Sequence, residues 1–236
     1  MVRISVLLFL LGSVCLFAQD AVLGHAVDIS AVEYLHVAGD QSALYYGKEQ
    51  EGYWRVLNYP YLHDAQYVKA RLSYRRIIYP EALLRLDWHR NELVVMSPDK
   101  RNVVLFPENV DYVELHGKHI IYFRRDNLPG CPSSGYYILL YSGQCKVFEK
   151  QTASMVRNTN NTSRVEYYFS FSTNFYLFKD GVYHNIRNKR GLLKVLHPYK
   201  RELNRFISSN NLRFRHNAQE LISRTVSEYE KLSGLQ

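Results

Sequence analysis

The chain has 236 residues, of which 47% are hydrophobic and 22% charged, and its formal net charge is +8 at pH 7. This length is enough for a well-packed core and fits one large β domain or two small ones. Beyond the N-terminus no stretch approaches the roughly 20 apolar residues of a membrane helix, which excludes a transmembrane helix in the mature chain.

The first 20 residues, MVRISVLLFLLGSVCLFAQD, have the layout of a cleavable export signal. A positive charge at Arg3 precedes an apolar run from Ile4 to Leu11, and the small residue Ala18 follows. We predict a signal peptide over residues 1–18 with cleavage near Ala18; a retained N-terminal anchor is the alternative. The mature protein would then be periplasmic or extracellular.

Short alternations of apolar and polar residues, separated by turn signals, fill the chain from residue 43 to residue 186. The segments YWRVLNYPYL and AQYVKARLSY open this region as a predicted pair of strands. Later hairpin turns are predicted at His89–Asn91, Gly117, Ser142-Gly143 and Asp180-Gly181. About ten strands without intervening helices predict a mainly β (α+β) fold, an antiparallel meander that is curled or barrel-like, in a domain spanning 19–186. The polar segment 151–164, QTASMVRNTNNTSR, is predicted to be an exposed loop.

Residues 187–236 change to a helical period and form the last predicted unit. Two to three amphipathic helices are expected here, packed on the sheet, and Asn217 with Glu220 resembles a capping box. Eleven basic and four acidic residues give this segment +7, which is the whole excess of the chain after residue 18. The excess predicts a basic outer surface on the helices.

Removal of the signal would leave two cysteines, Cys131 and Cys145, in an oxidising compartment. A disulfide between them would close a loop of about 15 residues and contribute roughly 3 kcal/mol of stability. The alternative is a pair of buried free thiols, because Cys131 reaches Cys145 only if the segment from Pro129 to Pro132 folds back.

Few residues of the β region suggest chemistry. His89 and Glu92 are three apart, but they straddle a predicted turn between strands, so we predict a solvated turn rather than a metal-binding or catalytic pair. Carboxylates such as Asp87 and Glu92 would serve a glycan hydrolase only if two of them converged in one pocket. We assign no catalytic, cofactor-binding or metal-binding residue, and the sequence favours a protein that is not an enzyme without deciding the question.

Two kinds of side chain are candidates for binding. The chain has 20 tyrosines, and Tyr136 and Tyr167 could contribute to a groove for a sugar or a peptide; ordinary strand packing is the alternative. The helices offer basic side chains for an acidic partner or an anionic membrane, namely Lys194, Lys200, Arg201 and Arg205. Nucleic acid is a poor partner for an exported protein.

Three stretches follow one another along the chain: ALLRLDWHRNELVVM, GYYILLYSGQCKVFEK and the helical tail GLLKVLHPYKRELNRFI. Their order resembles a loose family of uncharacterised exported proteins of Bacteroidetes. The resemblance covers most of the mature chain and implies a β-rich body with a helical tail, but it carries no activity, cofactor or site.

The predicted function is a non-enzymatic binding or accessory module of the cell envelope, with an envelope protein as partner and glycan or lipid as other ligands. A periplasmic carrier with an apolar cavity for lipid or lipoprotein is one alternative. A hydrolase acting on glycan or peptidoglycan is another.

Overall fold

The computed structural model describes residues 43–62, 66–159 and 164–234; the predicted signal peptide lies outside them. The strands are β1 (Lys48–Glu49), β2 (Val68–Tyr74), β3 (Ile77–Asp87), β4 (Glu92–Met96), β5 (Asn102–Val104), β6 (Val110–Leu115), β7 (Lys118–Phe123), β8 (Gly135–Ser142), β9 (Lys146–Asn158), β10 (Glu166–Lys179) and β11 (Val182–Asn185). The helices are α1 (Lys189–Val195), α2 (Lys200–Ser209) and α3 (Ala218–Ser233). None of the helices in these ranges is long and apolar enough to span a membrane.

All these strands belong to one antiparallel sheet, in the order β1-β5-β4-β3-β2-β6-β7-β8-β9-β10-β11. From β6 onwards each strand pairs with the next in the chain. Strands β2 to β5 also pair consecutively, but they follow one another across the sheet in the opposite direction. Strand β6 then pairs with the edge of β2 that β3 leaves free. The sheet is open, with β1 and β11 at its edges. The predicted mainly β, antiparallel fold with C-terminal helices is confirmed.

The predicted hairpin turns are confirmed, and several have the left-handed backbone that tight turns require. Asn91 has φ 56° in the turn between β3 and β4, and Gly117 has φ 68° between β6 and β7. In the turn between β10 and β11, Asp180 and Gly181 have φ 51° and 75°. Asp and Gly tolerate this conformation better than most residues, which is why the sequence marks these turns clearly.

Two predicted elements are wrong. The segment 53–62 is not a strand paired with β2, because its backbone hydrogen bonds go to β3 and β10 instead. The segment 151–158 is not a loop but the outer half of β9, since its backbone pairs with residues 166–173 of β10. Its polar side chains, Gln151, Thr152, Ser154, Arg157 and Asn158, suit a ribbon that is largely exposed to solvent. Residues 160–163 of the predicted loop lie outside the described residues.

The buried residues form two main clusters. The first core lies inside the curl of the sheet and contains large side chains such as Tyr74, Tyr79 and Tyr136. The curl brings distant strands together: Ala153 N in β9 donates to Trp88 O at the end of β3, 3.3 Å away, although the two strands are five places apart in the sheet.

The second core lies between the helices and the last strands of the sheet, and its side chains are mainly Leu, Ile and Val. Leu192 in α1 and Leu203 in α2 are completely buried there. Each such burial stabilises the fold by about 1.5–3 kcal/mol, which short helices need because they are marginal alone. Asn217 caps α3 by accepting a hydrogen bond from Glu220 N at 3.2 Å, as predicted.

Candidate functional site

Residues 50–62 form an extended segment, here called the strap, that crosses from β10 to β3. On the β10 side, Leu57 N donates to Tyr167 O at 2.8 Å and Tyr167 N donates to Arg55 O at 2.9 Å. The Asn58 side chain completes the pairing, because it accepts from Phe169 N at 2.6 Å and donates to Phe169 O at 2.9 Å. The strap therefore lies along β10 like a short additional parallel strand.

On the other side the strap is attached to β3 and the turn that follows it. Leu62 N donates to Leu86 O at 3.0 Å, and Trp88 N donates to Pro60 O at 2.9 Å. Pro60 has no N–H, so it contributes only an acceptor here. The strap thus connects two strands that the open sheet leaves apart.

Asp87, at the end of β3, holds the strap and the adjoining turn in one buried network. Its Oδ1 accepts from the backbone N–H groups of His89 and Arg90, both at 2.9 Å. Its Oδ2 accepts from the Tyr53 hydroxyl at 2.6 Å and from Gln50 Nε2 at 3.2 Å. Burial and the hydrogen bond to Asp87 raise the pKa of Tyr53, which keeps the hydroxyl a donor.

Asp87 and Glu92 are close together, as a pair of hydrolase carboxylates would be. They share one donor, because Gln50 Nε2 also donates to Glu92 Oε2 at 2.9 Å. However, Asp87 accepts four hydrogen bonds and has no exposed surface, whereas a catalytic acid or nucleophile must reach its substrate. The geometry of this pair fits an anchor for the strap.

Arginines support the strap from β3 and from the turn. The Arg85 guanidinium lies 4.0 Å from the centre of the Tyr61 ring and 4.4 Å from that of Tyr67. The Arg90 guanidinium lies 4.4 Å from the centre of the Tyr53 ring, and its Nη1 donates to Glu51 O at 2.5 Å. Cation–π contacts of this kind hold both partners in place.

Outside, the strap exposes large apolar side chains. Trp54 is 74% exposed, Leu57 59% and Tyr59 49%. The Arg55 guanidinium stands 3.9 Å from the centre of the Trp54 ring. Tyr59 is stacked on Tyr61, with ring centroids 5.8 Å apart and an interplanar angle of 11°. We call the exposed side chains of Trp54, Arg55, Leu57 and Tyr59, which stand on this anchored backbone, the strap surface.

The sequence predicts a strand over 53–62, in which Trp54 would face the opposite side from Leu57 and Tyr59. It therefore does not predict that these three side chains are exposed together. The signal that could have identified them is the break in alternation at Asn58-Tyr59-Pro60, combined with an unusual density of aromatic residues in one short stretch.

The structure separates the predicted surface residues. Tyr167 is half-buried on β10, beside the strap, whereas Tyr136 is completely buried in the first core, so its assignment to a surface is wrong. Burial raises the pKa of Tyr136. On β8 the Tyr136 ring packs against Tyr122, with the two ring centroids 5.1 Å apart. The four basic candidates, Lys194, Lys200, Arg201 and Arg205, are all exposed.

Of the two alternatives for the cysteines, the disulfide is not formed, because Cys131 and Cys145 are both free and belong to different clusters; of the two thiols only that of Cys145 is buried. Cys145 is buried in the second core, and its backbone N donates to Glu230 Oε1 at 2.6 Å. Burial, with the nearby Glu230 carboxylate, raises the pKa of Cys145 to about 11. Cys131 lies in the loop between β7 and β8, where its Sγ accepts from Asp126 N at 3.3 Å.

Within 43–62, 66–159 and 164–234, no three His, Cys, Asp or Glu side chains are grouped so that they could hold a metal ion. No protein family, curated protein or solved structure matches the chain. The resemblance to exported Bacteroidetes proteins stays a prediction.

Proposed function

We propose that the protein is an exported, non-enzymatic binding module of the cell envelope and that its strap surface binds a partner protein. The observation that carries the proposal is the combination of a hydrogen-bonded strap with exposed Trp54, Leu57 and Tyr59. Exposing such side chains to water is unfavourable, and the contacts that anchor the strap do not require them. A partner that covers these side chains would remove their apolar surface from water, which favours binding.

The residue types favour a protein over a glycan. Trp, Tyr and Arg are the side chains most enriched among the energetic centres of protein interfaces, and the strap exposes all three. Arg55 already covers one face of the Trp54 ring, a face that a sugar would otherwise stack on. Because the backbone is already ordered, little conformational entropy is lost on binding.

Site-specific photo-crosslinking tests this proposal. A photoreactive phenylalanine derivative, which keeps an aromatic ring at the position, replaces Trp54 in the full-length chain expressed in its native cells, and Ser208, exposed on α2, is replaced by it as the matched control. We expect one discrete protein adduct from position 54, absent from position 208 and lost when Tyr59→Ala is added. The same adduct from both positions, or an adduct that Tyr59→Ala leaves unchanged, would contradict the proposal.

Export is tested separately by fractionating cells that carry a C-terminally tagged chain. We expect a form shortened by about 18 residues outside the cytoplasm. A full-length chain in the cytoplasm would contradict export.

A further inference from the structure

The first helix of the C-terminal layer separates apolar and basic side chains. In α1, Leu192 and Leu193 are buried in the second core, whereas Arg190 and Lys194 are exposed. Arg190 and Lys194 are four residues apart, so they lie one turn apart on the same side of the helix. This places two positive charges next to each other on the outer side of α1.

The second helix repeats the arrangement. Leu203 and Ile207 of α2 are buried, and Arg201 and Arg205, again four residues apart, are exposed on the opposite side. Like charges at this spacing destabilise a helix, so the arrangement does not serve the stability of α1 or α2.

In the third helix the basic residues are paired with acidic residues of the same helix. In α3, Glu220 pairs with Arg224 at 2.9 Å, and Glu228 lies 3.8 Å from Lys231. The basic residues of α3 are therefore balanced within their own helix. The contrast shows that the same short segment of chain contains both balanced and unbalanced helices.

Further exposed basic residues lie next to the two unbalanced helices in the chain. We define the basic face as the exposed Arg187, Arg190, Lys194, Lys200, Arg201, Arg205, Arg213 and Arg215. Between residues 187 and 219 the sequence has one acidic residue, Glu202. In the part of the chain that the structure describes, no salt bridge joins a member of the basic face to an acid.

We propose that the basic face binds the anionic headgroups of a phospholipid membrane. Exposed cations on and beside two helices that contact each other complement a surface of distributed negative charge, as clusters of Lys and Arg do when they bind anionic lipid. The apolar sides of α1 and α2 already pack on the sheet, so the helices would lie on the headgroups without inserting.

Co-sedimentation of the mature protein with lipid vesicles tests this assignment. The probes are vesicles of phosphatidylcholine alone and of phosphatidylcholine mixed with phosphatidylglycerol. We expect binding to the anionic vesicles only, weakening as salt is added. Each basic residue near an anionic surface contributes about fivefold to the affinity, so Arg201→Gln with Arg205→Gln should weaken binding roughly 25-fold.

The control variant is Lys48→Gln with Arg157→Gln, which removes the same charge from exposed positions on β1 and β9. It should change the affinity less than twofold. Equal weakening by both variants would show that only net charge matters and would overturn the proposal. Equal binding to both kinds of vesicle would overturn it too, as would binding to polyglutamate without binding to anionic vesicles. The strap proposal is independent, because its crosslink is read at Trp54.

Discussion

The two cores of the molecule are stabilised in different ways. The second core joins regular helices to regular strands through Leu, Ile and Val, and one buried carboxylate, Glu230, ties α3 to the β8–β9 hairpin. The first core contains several buried tyrosines and adjoins the hydrogen-bond network of Asp87. An irregular strap has no periodic apolar side to bury, so specific polar contacts must hold it. The proposed binding surface therefore lies on the strap, the part of the molecule that polar contacts hold next to the first core.

A buried lysine adds a further polar contact near the first core. Lys150 in β9 is 8% exposed, and its Nζ donates to Asn91 Oδ1 at 2.6 Å and to Tyr136 O at 3.1 Å. It thereby joins the turn after β3 to the start of β8. Burial lowers the pKa of Lys150 to about 8.

The largest expected effect is that of Asp87→Ala. The substitution leaves the Tyr53 hydroxyl, one N–H of the Gln50 amide and two backbone N–H groups without their buried acceptor, while the other N–H of Gln50 keeps Glu92. We expect the free energy of unfolding to fall by about 3–5 kcal/mol, measured by urea denaturation. Glu81→Ala, which removes a partner from an exposed salt bridge with Lys69, should cost less than about 0.5 kcal/mol. Equal effects of the two substitutions would show that the Asp87 network stabilises the fold no more than an exposed salt bridge does.

The corresponding change in the second core, Glu230→Ala, should have a smaller effect. Glu230 accepts from the Tyr141 hydroxyl at 2.7 Å and from Cys145 N at 2.6 Å, so two donors lose their acceptor instead of four. We expect a loss of about 2–3 kcal/mol in the same denaturation experiment. Glu228→Ala, on the same helix, is the control and should cost less than about 0.5 kcal/mol. A larger loss for Glu230→Ala than for Asp87→Ala would reverse the comparison.

The lowered pKa of Lys150 predicts how the stability of the protein depends on pH. Its folded pKa of about 8 lies below the unfolded value of 10.5, so the unfolded chain binds the proton more tightly and stability rises with pH between these values. From pH 7.5 to 9.5 the gain should be about 2 kcal/mol. Lys150→Met should lose this gain, which is read as the difference between the two proteins in urea denaturation at each pH. Parallel pH profiles for the two proteins would mean that Lys150 is not desolvated.

The smallest expected effect is an increase in stability. The Tyr136 hydroxyl is buried without a hydrogen-bond partner among the described residues, so Tyr136→Phe removes an unfavourable group. We expect a gain of about 1 kcal/mol in the free energy of unfolding. Tyr141→Phe, which breaks the hydrogen bond to Glu230, should instead cost about 1–2 kcal/mol. A loss of stability in Tyr136→Phe would show that the hydroxyl has a partner, such as a buried water.

How much the sequence predicts also differs between the two regions. The helices and the hairpin turns follow from local signals, such as the apolar spacing of Leu203 and Ile207 or the Asp180-Gly181 pair. The strap and the Asp87 network depend on contacts between distant residues; Gln50 and Asp87 are 37 positions apart. No local periodicity reveals such a contact, so the sequence marks Asp87 only as one of several carboxylates.

The free cysteines show the same limit. The spacing of Cys131 and Cys145 allows a disulfide, but the β8–β9 hairpin places Cys145 in the second core while Cys131 stays in the loop before β8. The exposure of the basic helical residues was predicted correctly because it follows from the helical period alone.

The sharpest test of the proposed binding module measures stability and partner binding side by side in Trp54→Ala. Trp54 is 74% exposed, so the substitution should change the free energy of unfolding by less than about 0.5 kcal/mol. Binding to the partner identified by crosslinking should weaken at least tenfold, by about 1.4 kcal/mol or more. Unchanged binding, or weaker binding that is matched by a loss of stability, would contradict a recognition role for the strap surface.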